Sequence, residues 1–131
     1  MNKSHKDKKI LIVDDDTVWL NQLSRAMSRR GLDVHEAKSV TEAFDILSRE
    51  SFDFGVIDLR LDDGDGLEIV LELRKVNPNS RSIILTGFGN IANAVSAIKI
   101  GAIDYLSKPA TIEDILSSLF TYGDEKTPPP D

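Results

Sequence analysis

Residues 10–16 read Ile-Leu-Ile-Val-Asp-Asp-Asp, a short apolar run that ends in three carboxylates. Its β-branched content and its length predict a buried strand from Ile10 to Val13. Asp16 can cap a helix that follows. In this helix, apolar residues recur at helical spacing: Val18, Trp19, Leu23, Ala26 and Met27. The stretch therefore predicts one strand–helix unit with acidic residues at its junction.

The same order of strand and helix recurs four more times. Further strands are predicted at residues 32–37, 54–57, 82–85 and 102–106. The helices after them are predicted to open at a Ser39–Glu42 capping box, near Leu67, at Asn90 and at Thr111. Alternating strands and helices predict an α/β fold with a doubly wound, five-stranded parallel sheet. We expect a flavodoxin-like (βα)5 arrangement with strand order 2-1-3-4-5.

Composition narrows the classes of function. The net charge of −6 and the pI of about 4.9 argue against a stand-alone nucleic-acid binder, which usually has a basic face. The absence of cysteine excludes disulfides and thiolate metal sites and fits a cytoplasmic protein. No apolar run approaches the roughly 20 residues of a membrane helix, so no membrane partner is expected. We expect a disordered arm at residues 1–8, one domain at 9–121, and a proline-rich tail or linker at 122–131.

Polar side chains follow four of the predicted strands. Asp14–Asp16, Asp58, Thr86 and Lys108 each lie at or just beyond the carboxyl end of a strand. In a parallel sheet these ends share one edge, where functional groups gather. Crowded carboxylates repel one another, and a hard cation such as Mg²⁺ relieves that repulsion. A carboxylate beside such a metal can attack phosphorus while a lysine neutralises the developing charge. The pattern thus predicts aspartyl phosphorylation.

Four motifs, in order and in spacing, resemble the response-regulator receiver domains of two-component systems over about residues 8 to 121. They are Ile-Leu-Ile-Val-Asp14-Asp15, Val-Ile-Asp58-Leu-Arg-Leu, Leu-Thr86-Gly and Lys108-Pro109. The resemblance implies a domain that accepts a phosphoryl group from a sensor histidine kinase. It implies no enzyme activity beyond assisting its own phosphorylation and dephosphorylation.

The resemblance also implies roles for single residues. Asp58 would be the phosphoacceptor. Asp14, Asp15, Asp58 and the backbone carbonyl of Arg60 would hold Mg²⁺, for which Mn²⁺ could substitute. Thr86 and Lys108 would contact the phosphoryl group, Thr86 and Tyr105 would form the switch, and Lys108–Pro109 is a candidate cis peptide.

Three longer stretches are more specific: Val-Ile-Asp58-Leu-Arg-Leu-Asp-Asp-Gly-Asp-Gly-Leu, Leu-Thr86-Gly-Phe-Gly-Asn-Ile-Ala-Asn-Ala-Val and Lys108-Pro-Ala. They resemble the RegA/PrrA/ActR-type regulators, which carry a DNA-binding domain after a proline-rich linker. Pro128–Pro130 would fit the start of such a linker. The resemblance then implies DNA binding only through an effector domain absent from these residues. A single-domain phosphorelay protein is the alternative.

Two regions leave choices open. Asp62, Asp63 and Asp65 do not fit the register of a calcium-binding EF-hand loop, so we expect a solvated loop. The predicted fourth helix has few charges on its outer side, so it is either deeply buried or meets a partner. We hypothesise that helix four, strand five and helix five form an output and homodimer surface that includes Ile91, Val95, Ile98 and Tyr105.

Two rival functions remain. Asp14-Asp15-Asp16-Thr17-Val18 matches the first motif of haloacid-dehalogenase-type phosphatases, in which Asp14 would be the nucleophile. That family needs a further acidic pair after the lysine strand, and only Glu113-Asp114 are available. A pseudo-receiver that only binds partners is the other rival. The complete set of Asp, Thr and Lys residues argues against it.

Overall fold

A five-stranded parallel sheet forms the centre of the protein. The computed structural model describes residues 7–87, 95, 96 and 98–121, except the side chain of Thr121. The strands are β1 (Lys9–Val13), β2 (Asp33–Ala37), β3 (Phe54–Asp58), β4 (Arg81–Thr86) and β5 (Asp104–Ser107). Their order in the sheet is β2-β1-β3-β4-β5, with parallel pairing throughout. This confirms the predicted α/β fold and strand order.

Helices cover both faces of the sheet. They are α1 (Thr17–Arg29), α2 (Val40–Leu47), α3 (Gly66–Val76) and α5 (Ile112–Thr121). We use α4 for the segment in which residues 95, 96, 98 and 99 are helical. Asn90 and Ile91, in the predicted first turn of this helix, lie outside the described residues. A short antiparallel ribbon, Arg60–Leu61 with Gly64–Asp65, lies between β3 and α3, where only a loop was predicted.

Alternation along β1 assigns the two helical layers. Leu11 and Val13 belong to the apolar cluster that packs with α2 and α3. Ile10 and Ile12 belong to a second cluster, which includes residues of α1 and α5. Because both faces of the strand are buried, its sequence is a continuous apolar run rather than an alternating one. The stretch Ile10 to Val13 is thus an interior strand of the sheet, with apolar residues packed on both of its faces.

Several local predictions need adjustment. The buried residues of α1 are Leu20, Leu23 and Met27, whereas Val18 is 66% exposed and lies outside this face. At the predicted amino-terminal arm, the Asp7 N–H donates to the Gly31 carbonyl, and the Lys8 carbonyl accepts from a β2 amide. The rest of that arm and the proline-rich tail at 122–131 lie outside the described residues. Within the described ranges, no helix combines the length and apolar character needed to cross a bilayer.

Candidate functional site

Backbone pairing brings the ends of four strands to one edge. The Asp14 N–H donates to the Ala37 carbonyl just after β1 ends (3.1 Å). Asp58 is the last residue of β3 and lies opposite Leu85. The Lys108 N–H donates to the Thr86 carbonyl (2.8 Å), which joins the ends of β4 and β5. The sheet register therefore brings Asp14, Asp58, Thr86 and Lys108, which are far apart in sequence, to the same edge of the sheet.

Three carboxylates form a cluster at this edge. Asp14, Asp15 and Asp58 each offer an oxygen, and these oxygens all lie within 4.8 Å of one another. Asp14 is fully buried and Asp58 is 5% exposed, whereas Asp15 is exposed to solvent. Two buried carboxylates beside a third repel each other strongly unless a cation neutralises them.

Lys108 contributes positive charge to the cluster. Its Nζ donates to Asp58 Oδ2 at 3.3 Å and lies 3.2 Å from Asp14 Oδ2. Asp14 Oδ1 accepts from the Asp16 N–H at 2.9 Å. The contact with Asp14 Oδ2 is an ion pair without hydrogen-bond geometry, and within the described residues nothing donates to that buried oxygen. One carboxylate oxygen is thus left for a further cation.

Electrostatics in the cluster raise two pKa values. Burial, and then the Asp14 charge, raise the pKa of Asp58 to about 6, although Lys108 opposes the shift. Burial lowers the pKa of Lys108, but the Asp58 and Asp14 charges outweigh it, so the net pKa is raised. The lysine stays charged, and Asp58 is ionised at neutral pH only at some energetic cost.

The donor set fits a divalent metal. Three carboxylate oxygens within one ion's reach are hard ligands of the kind that Mg²⁺, Mn²⁺ and Ca²⁺ prefer. The buried Oδ2 of Asp14 is a second sign, because within the described residues it accepts no hydrogen bond, although it lies beside the Lys108 ammonium, and a buried carboxylate oxygen normally accepts one. The cluster is therefore a typical divalent-metal site, and its donors do not select among these ions.

The loop after Asp58 is closely packed. The Leu59 N–H donates to the Leu85 carbonyl (2.9 Å), and the Leu59 carbonyl accepts from the Gly66 N–H (2.8 Å). A Cβ on Gly66 would lie 2.3 Å from the Asp58 carbonyl oxygen, so only glycine fits there. Arg60, the predicted carbonyl ligand, is the exposed first residue of the ribbon.

The remaining residues predicted for the phosphoryl contact, the switch and the output surface are not among the three clustered carboxylates. Thr86 is 4% exposed at the end of β4, and the Lys108–Pro109 peptide bond is cis. Tyr105 on β5 is 37% exposed, and Val95 and Ile98 on α4 are 44% and 39% exposed. Ile91 lies outside the described residues. Of the two alternatives for the fourth helix, the exposure of Val95 and Ile98 favours an outward-facing apolar surface over deep burial.

The Asp-rich loop is exposed at Asp62 and Asp63, as expected, but it also makes specific contacts that were not predicted. Asp63 Oδ1 accepts from the Val40 N–H (2.8 Å), and its Oδ2 accepts from the N–H and the hydroxyl of Thr41 (3.0 and 2.7 Å). Asp65 caps α3 by accepting from the Leu67 N–H. Both roles were missed, although Asp65 directly before a helix was a readable capping signal.

Comparisons with known proteins agree with this site. The profile of the family described as response regulator receiver domain matches residues 10–120. The chain belongs to this family. The match covers all five strands except Lys9, the first residue of β1, and decides against the haloacid-dehalogenase alternative. The protein is therefore a receiver domain of a two-component response regulator rather than a classic enzyme, and a receiver implies a cognate histidine kinase.

Two curated relatives and one solved structure illustrate the similarity. The chain is 46% identical to the photosynthetic apparatus regulatory protein RegA of Rhodobacter capsulatus, over 95% of this chain and 68% of that protein. It is 48% identical to the acid tolerance regulatory protein ActR of Rhizobium meliloti, over 95% of this chain and 64% of that one. A Burkholderia pseudomallei response regulator, solved with a phosphorylated aspartic acid, calcium ion and citrate, is 41% identical. Its TM-score is 0.79, and the alignment covers 86% of this receiver domain and 66% of that chain.

Proposed function

We propose that Asp58 accepts a phosphoryl group from a sensor histidine kinase and thereby switches an output surface. The observation that carries this proposal is the position of Asp58, a nearly buried carboxylate that receives a hydrogen bond from Lys108 at 3.3 Å. Asp14 is a poorer nucleophile, because it is fully buried and one of its oxygens already accepts from the Asp16 amide. The phosphorylated aspartic acid in the Burkholderia relative supports the same chemistry.

Phosphoryl transfer needs an ionised Asp58. One oxygen of its carboxylate forms a bond to phosphorus while the bond from phosphorus to the kinase imidazole nitrogen breaks. The electron pair of that bond remains on the imidazole nitrogen, and a proton on the other ring nitrogen lets the imidazole leave as a neutral group, so the receiver supplies no acid. Lys108 lies close enough to neutralise charge on a phosphoryl oxygen, and Thr86 is assigned to hydrogen-bond another.

We assign the metal as Mg²⁺, for which Mn²⁺ could substitute. Asp14, Asp15, Asp58 and the backbone carbonyl of Arg60 would hold it. When bound, the ion supplies positive charge to the phosphoryl oxygens and lowers the repulsion among the three carboxylates. Those carboxylates need this help, since Lys108 leaves Asp14 Oδ2 without a hydrogen bond.

The output is proposed to run through Thr86 and Tyr105 to the surface of α4, β5 and α5. Val95, Ile98 and Tyr105 are exposed apolar side chains there, and Ile91 is assigned to the same surface. This surface would form a homodimer after phosphorylation and control transcription through a DNA-binding domain outside these 131 residues. A single-domain phosphorelay role is the alternative. The cytoplasm is the proposed compartment.

Mapping the phosphorylated residue tests the central assignment. The protein would be incubated with Mg²⁺ and acetyl phosphate, trapped with borohydride and mapped by peptide mass spectrometry. We expect modification of Asp58, its loss in Asp58→Asn, and retention in Asp62→Asn, a neighbouring exposed carboxylate. Labelling of Asp14, or continued labelling of Asp58→Asn, would reject the assignment.

Trp19 offers a direct readout of metal binding. It lines a cleft of about 500 Å³ together with Asp16, Lys108 and Pro109, next to the acidic cluster. Titration with Mg²⁺ should change its fluorescence, and Asp15→Asn should weaken the response. A wild-type protein that shows no response to Mg²⁺ or Mn²⁺ would favour the pseudo-receiver alternative.

Sizing tests the output surface. Beryllofluoride, a mimic of the phosphoryl group, should shift the wild-type protein from monomer to dimer, and Ile98→Ser should block this shift. Leu71→Ser on α3 is the matched control, because Leu71 is also an exposed apolar side chain (53%) but lies off the proposed surface. A strict monomer with and without the mimic would count against the homodimer.

A further inference from the structure

Asp63 connects two segments that are remote in sequence. It lies in the turn of the ribbon, between Leu61 and Gly64, which face each other. Its two carboxylate oxygens accept three hydrogen bonds from the first two residues of α2, Val40 and Thr41, at 2.7 to 3.0 Å. Asp63 therefore ties the tip of the ribbon to the start of α2 across more than twenty residues of chain.

The helix does not depend on Asp63 alone for capping. Ser39 already caps α2, because its hydroxyl accepts from the Glu42 N–H at 3.1 Å. Asp63 takes the earlier two N–H groups, which water could satisfy at this exposed end. A cap supplied by another segment also limits the distance between the two segments, which a local cap does not do.

The contact is tight on the ribbon side as well. A Cβ on Gly64 would lie 3.0 Å from Val40 Cγ2, so the backbone of the ribbon packs directly on the first residue of α2. At its other end the ribbon joins Asp58 through Leu59, whose carbonyl accepts from Gly66. The ribbon is thus held at its base by the end of β3 and at its tip by α2.

Asp63 remains charged under all ordinary conditions. The hydrogen bonds from the hydroxyl and N–H of Thr41, with that from Val40, lower the pKa of Asp63 to about 2. Charge-assisted hydrogen bonds are about twice as strong as neutral ones, which suits an anchor between two segments.

We propose that Asp63 is a positioning residue for the metal site. By fixing the tip of the ribbon to α2, it restricts the backbone of Arg60, whose carbonyl we assign to the metal, and of the segment that follows Asp58. This inference rests on the proposed function, because it presumes that the acidic cluster binds Mg²⁺. It assigns to the Asp-rich loop a function in the phosphorylation reaction.

Mg²⁺ titration of the 131-residue chain, followed by Trp19 fluorescence, separates positioning from helix capping. Asp63→Ala should weaken Mg²⁺ binding about tenfold, at the lower end of the loss seen when a direct partner of a metal ligand is removed, because Asp63 acts only through the ribbon backbone. Asp62→Ala removes the same charge from the neighbouring exposed position, so it should change the affinity less than twofold. Ser39→Ala weakens α2 without freeing the ribbon, so it should lower the melting temperature and leave Mg²⁺ affinity unchanged.

Phosphorylation by acetyl phosphate supplies a second readout. In Asp63→Ala the rate should fall at limiting Mg²⁺ and recover at saturating Mg²⁺, because positioning acts through the affinity for the ion. If Asp63→Ala and Asp62→Ala bind Mg²⁺ equally well, Asp63 is only a cap of α2 and the inference is wrong. A wild-type protein without any Mg²⁺ response would instead reject the proposed function itself.

Milder variants keep the test decisive if Asp63→Ala does not fold. Asp63→Asn keeps a single acceptor oxygen, and Thr41→Val removes only the hydroxyl that donates at 2.7 Å. Both variants should bind Mg²⁺ about two- to fivefold more weakly than the wild type, which lies between the wild-type affinity and the tenfold loss expected for Asp63→Ala. Wild-type affinity in both variants would overturn the inference.

Discussion

Lys108 Nζ lies 3.3 Å from Asp58 Oδ2, although fifty residues separate the two in sequence. The same nitrogen is 3.2 Å from Asp14 Oδ2. The lysine thus stands between two buried carboxylates and partly neutralises both. This position gives it a role before any phosphoryl group arrives, because without it the two carboxylates would face each other at low local dielectric.

Lys108→Ala should make the stability of the receiver domain dependent on metal. Without metal, loss of the ammonium leaves buried negative charge, and we expect a loss of about 1–3 kcal/mol, reduced from the fully buried case because the lysine side chain is 32% exposed. Saturating Mg²⁺ should recover much of this loss by binding the folded state. Thermal denaturation in EDTA and in Mg²⁺ measures both effects.

The matched control for this variant is Lys75→Ala. The Lys75 side chain is 77% exposed and lies 3.9 Å from Glu72, so its removal should change stability by less than about 0.5 kcal/mol in either condition. A loss for Lys108→Ala that Mg²⁺ does not reduce would contradict the electrostatic role. Lys108→Ala should also bind Mg²⁺ yet fail to change conformation with beryllofluoride.

Asp58→Asn should stabilise the metal-free protein at neutral pH. The folded pKa of Asp58 is about 6, above the usual 3.8, so the folded state binds the proton more tightly and stability falls as pH rises from about 4 through 6. The shift corresponds to about 3 kcal/mol, and solvent screening reduces this to about 1–2 kcal/mol. Urea denaturation in EDTA at pH 7 and pH 4.5 measures the gain.

The pH dependence distinguishes this effect from general repacking. The advantage of Asp58→Asn should shrink toward zero at pH 4.5, where the wild-type side chain is protonated. Asp62→Asn should show no such trend. An advantage that is equal at the two pH values, or a loss of stability at pH 7, would contradict the raised pKa of Asp58.

Gly66→Ala should damage the site more than its single methyl group suggests. The added Cβ would lie 2.3 Å from the Asp58 carbonyl oxygen and 3.0 Å from Ile57 Cγ2, so the backbone of the loop that follows Asp58 must move. We expect a loss of about 2–3 kcal/mol by this overpacking and slower labelling by acetyl phosphate. Gly87→Ala is the control, since a Cβ there meets nothing within 4 Å. Equal effects of the two substitutions on labelling would argue against the close packing.

The sheet could be predicted from the sequence because each strand is marked by its own local run of residues. The order of the parallel strands then follows from general rules of topology. Ile10 to Val13 are apolar and consecutive, and right-handed crossovers then bring the ends of parallel strands together. The packing of Val18 and Leu20 was harder to predict, because helical spacing alone does not show which of two neighbouring apolar residues points inward. Asp63 was missed for another reason. Its partners lie more than twenty residues earlier, and no local pattern marks an aspartate that caps a distant helix.

Ser118→Ala tests whether a buried polar contact fixes α5 to the proposed output surface. The Ser118 hydroxyl donates to Asp104 Oδ2 at 2.6 Å, and Asp104 Oδ1 accepts from the Tyr105 N–H at 2.8 Å. Removing the hydroxyl leaves a carboxylate oxygen partly buried without its donor, which should cost about 1–2 kcal/mol. Ser117→Ala, one residue earlier and exposed, should be neutral within about 0.5 kcal/mol.

Because Asp104 adjoins Tyr105, Ser118→Ala should also weaken beryllofluoride-induced dimerisation, measured by size-exclusion chromatography. Equal stability and dimerisation in the two variants would exclude this contact as a support of the surface.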